Sequence, residues 1–124
     1  MIATDRLRQA MRDIAKKKGD FTFFALFLRT DAPGTWDLVV AAPWLEKDTL
    51  KTLSEFTRLL TQSVGENTLQ QLARVVTISE LDPRLRDIVS KFPVDNGVEH
   101  SIQSTDLFGL DIEEAIILRA KPAA

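Results

Sequence analysis

Asp37 is the first residue to test for chemistry. It stands near the start of an apolar run in "GTWDLVVAAPWLEKD", residues 34–48, where a metal-dependent nuclease could carry one acid of its catalytic pair. Such a centre needs a second carboxylate to complete a magnesium site and a lysine to stabilise the charged transition state. The usual supply is (Asp/Glu)-x-Lys on the next strand, and no Asp or Glu in the chain has a lysine two positions later. "DLVVAA" also runs into Pro43 and a helical pattern, not a second catalytic strand. Asp37 is therefore expected to mark the solvent end of a hairpin beside Thr30.

His100 is the only histidine. In "VEHSIQS" it alternates with Val98 and Ile102 on one strand face, and the adjacent serine points to the other. Base catalysis needs a partnered imidazole, and neither a Gly-x-Ser-x-Gly elbow nor a Ser-x-x-Lys pair occurs. Asp106, Asp111, Glu113 and Glu114 gather around a turn but fit no calcium-loop spacing. The five glycines stand too far apart for a P-loop or a dinucleotide fingerprint. With no cysteine, disulfides, thiolate metal sites and thiol nucleophiles are excluded. No catalytic, cofactor-binding or metal-ligating residue is assigned, and no cofactor is expected.

Two surfaces could bind a partner. Arg8, Arg12 and Lys16 fall four residues apart on one helical stripe, continued by Lys17 and Lys18. That stripe could meet phosphate or an acidic protein, but it carries no aromatic residue for base stacking. Trp36 and Trp44 bracket an apolar strand, where they could form a contact hot spot or simply fill core. Residues 1–19 hold six basic side chains against two acidic ones, whereas the rest holds ten against sixteen. A mildly acidic body argues against general nucleic-acid binding.

The elements that must position these residues follow from spacing. At 124 residues, 44% of them hydrophobic and 27% charged, the chain fits one soluble domain, 1–124, with 119–124 read as a tail. The N-terminus lacks an apolar signal region, and no apolar run is long enough to span a bilayer. A cytoplasmic setting without membrane contact is expected. Leu7, Ala10, Met11, Ile14 and Ala15 predict a helix over 4–18, capped by Thr4 and stopped by Gly19. "FTFFALFLRT" and "TWDLVVAA" predict a hairpin through a type II turn at Pro33–Gly34. That turn would set Ala32 opposite Thr35, placing Phe23, Ala25 and Phe27 on one face with Trp36, Leu38 and Val40. Both faces of the ribbon are apolar, so it needs cover above and below, from helices or from a second subunit.

Leu50, Leu53, Phe56, Leu60 and Val64 predict a second helix closed by Gly65. "ENTLQQLA" reads as a further helical turn or an anchored loop. "ARVVTIS" predicts a third strand, and Asp82–Pro83 opens a short helix. Asp95-Asn96-Gly97 marks a turn, followed by a second hairpin over 98–106 and 111–119 that turns near Phe108–Gly109. The order α-β-β-α-β-α-β-β predicts an α+β domain: one mainly antiparallel five-stranded sheet with helices packed on it.

"WDLVVAAPWL", with the leucine-spaced helix and the aliphatic strand near Val75–Ile78 that follow, resembles a family of small uncharacterised bacterial proteins. The resemblance spans most of the chain and implies no activity, cofactor or partner. The reading it leaves is a non-enzymatic protein-interaction or self-associating module, with a homodimer or another protein as partner. A small-molecule sensor is the alternative, and a degenerate nuclease of restriction-endonuclease-like fold is the second.

Overall fold

The computed structural model describes residues 4–32, 34–47, 49–94 and 100–121. The chain is α+β, and its elements follow the expected order. Helix α1 (Thr4–Lys18) buries Leu7, Ala10, Met11 and Ile14, the stripe set by its three- and four-residue spacing. Strands β1 (Phe23–Arg29) and β2 (Trp36–Ala41) form the first hairpin. A single 3-10 turn over Pro43–Glu46 leads to α2 (Thr49–Leu69). Gly65 interrupts α2 with φ 81°, ψ 166°, so it ends the main helix as expected, and one further turn runs on to Leu69. Phe56, Leu60 and Val64 are buried, but Leu50, in the first turn, is 86% exposed instead of facing the core.

Strand β3 (Leu72–Thr77) is followed by α3 (Pro83–Lys91). Asp82 caps α3 by accepting a hydrogen bond from the Arg84 amide at 2.9 Å, and Pro83 fills the first helical position. Strands β4 (His100–Leu107) and β5 (Leu110–Ala120) complete the chain. Phe108 (φ 54°) and Gly109 (φ 75°) turn between them, both left-handed as a two-residue hairpin loop requires. The Asp95-Asn96-Gly97 turn and Val98 lie outside the described residues. The expected tail from 119 is corrected: β5 runs through Ala120, and the Lys121 amide still donates to Thr22 O at 2.9 Å.

The sheet order is β3-β2-β1-β5-β4. It is mixed, which corrects the mainly antiparallel expectation: β3 runs parallel to β2, while the other three pairings are antiparallel. A parallel neighbour needs a crossover of a dozen or more residues, and α2 supplies it. Val94 adds a one-residue antiparallel bridge to Ala120 beyond the five strands.

The first hairpin also differs in register. Val40 lies opposite Phe24, where the Pro33–Gly34 turn would have placed it opposite Phe27. Pro33 itself lies outside the described residues, and Gly34 has φ 85°. An odd slip exchanges the faces of one strand against the other. Phe24, Leu26, Leu38 and Val40 therefore share one core with Trp36 and the apolar stripes of α1 and α2. Phe23, Ala25, Phe27, Val39 and Ala41 share the second with Leu85, Ile88 and Val89 of α3. Both faces of the ribbon are covered, as its composition demanded, and the chain's own helices cover them. The second subunit invoked as an alternative cover has no bare face of this ribbon left to cover.

Candidate functional site

Asp37 is not at a solvated hairpin end. It is 2% exposed, opposite Phe27 on β1 and Arg74 on β3. Arg74 Nε donates to Asp37 Oδ2 at 3.0 Å. Arg29 Nε stands 2.9 Å from the same oxygen as an ion pair without hydrogen-bond alignment. One carboxylate thus ties three strands together between two guanidinium groups. The predicted partner Thr30 instead donates its amide to Asp111 O. A carboxylate already held between two guanidinium groups is poorly placed to receive a metal ion, so the arrangement reads as structural.

The remaining acids are spread out. Asp106 and Asp111 are paired across β4 and β5 and exposed, Glu113 is exposed, and Glu114 accepts from Ser101 Oγ at 3.4 Å. Among the described residues no three His, Asp or Glu side chains gather where they could hold a metal ion. His100 opens β4 opposite Ile117, on the strand at the sheet edge.

The two tryptophans part company. Trp36 is 9% exposed within the first core and belongs to the packing. Trp44 stands on the 3-10 turn, partly exposed, with its Nε1 donating to Gly19 O at 2.9 Å. Its ring packs edge-on against Phe21 and Phe56, with centroids 5.4 and 6.2 Å away. Gly19 permits that approach twice over: its φ is 125°, and a Cβ there would lie 3.0 Å from Trp44 Cδ1. The stop signal of α1 and the tryptophan after β2 are therefore parts of one joint.

A cleft of about 420 Å³ opens at this joint, lined by Lys18, Lys47, Arg119 and Lys121 around Phe21 and Trp44. A second, of about 280 Å³, adjoins it through the shared Asp20, Phe21 and Arg119 and is lined by Arg12 and Lys16. Six cations thus line the pair of clefts, and Asp20 is the one acid among the lining residues. Some are engaged: Arg119 Nε donates to Phe21 O at 3.1 Å and its guanidinium lies 3.9 Å from Asp20, while Lys18 pairs with Glu55. The hydrogen bond from Lys18, reinforced by its charge, holds the Glu55 carboxyl below the usual carboxylate range.

Of the predicted surface, Arg12, Lys16 and Trp44 meet here. Arg8 stands apart, with 17% of its side chain exposed and an ion pair to Asp5 at 3.0 Å. Sequence reasoning missed Lys47, Arg119 and Lys121. The signal available was the basic pair in "LRAKPAA", passed over because that segment read as a tail. Compared with protein-family models, curated proteins and solved structures, the chain matches none.

Proposed function

We propose that the protein is a non-enzymatic interaction module that docks an acidic segment of another protein in the basic cleft around Trp44. The observation that carries this reading is convergence: cations from α1, the turn after β2 and the end of β5 line one concavity around an aromatic floor. Lysines in the last turn of α1 have a local explanation, since they suit the negative end of the helix dipole. Lys47, Arg119 and Lys121 have no such reason, being drawn from other elements. Cations backed by apolar rings can hold carboxylates while excluding water from part of the contact.

An acidic protein fits better than nucleic acid. Of the rings lining the clefts Phe21 is buried and Trp44 is the one partly exposed, too few for successive bases to stack on, and the chain outside residues 1–19 is net acidic. A titration of tryptophan emission, in which Trp36 is the buried background and Trp44 the reporter at the cleft, with a glutamate-rich peptide tests the reading, using a lysine-rich peptide and a single-stranded oligonucleotide as comparisons. Saturable binding of the acidic peptide is expected, weakening roughly tenfold when salt rises from about 50 to 300 mM. Lys47→Glu and Lys121→Glu should each weaken it several-fold with the fold intact by circular dichroism. Tighter binding of the oligonucleotide, or no effect of either substitution, would overturn the proposal.

A further inference from the structure

The basic cleft has an apolar neighbour. A groove of about 570 Å³ runs beside it, lined by Leu81, Leu85, Val89 and Pro93, with Glu80 and Arg86 also on its walls. Thr22 lines both concavities. The residue is 5% exposed, its hydroxyl donates to Glu80 Oε1 at 2.6 Å, and its carbonyl accepts from the Lys121 amide. The divide between cleft and groove is thus pinned at both backbone and side chain, and the two open on either side of the same residue.

Leu81 gives the groove its character. It is 77% exposed, while Leu85 and Val89 below it are 1% and 6% exposed. A large aliphatic side chain held out in water above an apolar floor gains by being covered, and the basic cleft next to it selects the charge of what comes across. Resting on the docking reading above, we infer that the partner segment carries acidic side chains for the cleft and, a few residues away, one large apolar side chain for the groove. The groove's own charges, Glu80 and Arg86, are one of each sign, so the six cations of the clefts decide where the acids go. One occupant, an extended acidic peptide with an apolar anchor, satisfies both halves.

Fluorescence anisotropy on the full chain with three labelled peptides tests this: four glutamates, a short spacer and leucine; the same with serine for leucine; and four lysines with leucine. The leucine peptide should bind about tenfold more tightly than its serine counterpart. Leu81→Ser, which removes the apolar side chain at an exposed position without adding charge, should bring the two acidic peptides to nearly equal affinity by weakening the leucine peptide. Lys121→Glu should weaken both acidic peptides. Equal affinity of the two acidic peptides for the parent chain, or no effect of Leu81→Ser on the leucine peptide, would sink the apolar anchor and leave the acidic docking site standing. Failure of both acidic peptides to bind would sink docking and anchor together. Tighter binding of a long-chain alkyl carboxylate than of the leucine peptide would replace the peptide with a small amphiphile.

Discussion

Asp37 illustrates how the same residue type changes meaning with its surroundings. As a lone acid on an apolar strand it suggested either a reaction centre or a wet terminus, and it is neither. Three neighbouring strands contribute Arg29, Asp37 and Arg74 to one charged contact at the sheet. Removing the acid leaves two guanidinium groups facing each other, with Asp31 still 3.3 Å from Arg29, and their positions decide the size of the effect. Arg74 is 48% exposed and can turn to water, whereas Arg29 is 21% exposed and cannot do so as freely. Asp37→Ala should therefore cost about 2–4 kcal/mol in urea unfolding, below a fully buried pair because half of the partnership is screened. Asp37→Leu combined with Arg29→Met should recover most of it, since well-packed apolar side chains can replace an ion pair. A larger loss in the double variant than in Asp37→Ala would show that packing, not charge, is what Asp37 supplies.

Asp82 offers a pH test at the same scale. The hydrogen bond from the Arg84 side chain, then that from its amide, holds its carboxyl below the ordinary carboxylate range. A carboxyl depressed in the folded state stabilises it at pH values above the unfolded-chain pKa and loses that contribution as pH falls through the depressed value. Asp82→Ala should lower the melting temperature by a few degrees at neutral pH. The gap between parent and variant should close as the solution is acidified through that range. A gap that persisted in strong acid would assign the effect to packing at the start of α3.

At the scale of elements, the sequence carried helix and strand identities clearly, because each rests on local periodicity. The stripe of α1, the Asp82–Pro83 start of α3 and the turn at Phe108–Gly109 were all visible in short windows. What was not visible depends on contacts between windows. The hairpin register hung on a turn assigned to two residues, whereas the strands end at Arg29 and resume at Trp36. The resulting slip exchanged partners on every face, although the apolar residues of both strands were seen to need cover and only Asp37 was set at a solvated end. The parallel placement of β3 did have a mark, the helix between β2 and β3 that a parallel crossover needs, but whether β3 pairs with β2 at all depends on contacts between windows. Half of the candidate site was legible in the same way: Arg12, Lys16 and Trp44 stood out individually, but only the joint between Gly19 and Trp44 brings them to Lys47, Arg119 and Lys121. That joint makes a prediction. Gly19→Ala forces a side chain into a left-handed backbone and against the indole, so it should destabilise the fold by about 1–3 kcal/mol. It should also shift the tryptophan emission, because the Trp44 ring must move to admit the methyl group while Trp36 stays in the core. An unchanged spectrum with unchanged stability would mean the indole is not held by this contact.

The whole molecule is a sheet between two unequal covers: α1 and α2 over one core, α3 with the Phe108 turn over the other. Phe108 bends inward to stack on Phe27 at 6.1 Å, and the Arg84 guanidinium lies 5.4 Å over its ring. A short helix can thus close the second core because a turn residue completes it. This bears on assembly. A ribbon greasy on both faces motivated a dimer, but Phe23–Phe27 and all of β2 are buried by the chain itself. Among the described residues, the exposed large hydrophobics are Leu50 and Leu81, single side chains rather than a continuous patch. A stable homodimer buries roughly 1,200–2,000 Å² in total with an apolar centre, and two isolated leucines do not supply one. Light scattering coupled to size exclusion should therefore give the mass of one chain at micromolar concentration. A dimer that survived dilution would place the contact at an outer strand, β3 or β4, where unpaired backbone could join two sheets without any apolar patch. In that case Leu81→Asp should leave the dimer intact, whereas a proline in the middle of β4 or β3 should dissociate it, and the outcome would separate edge pairing from a contact made through the groove.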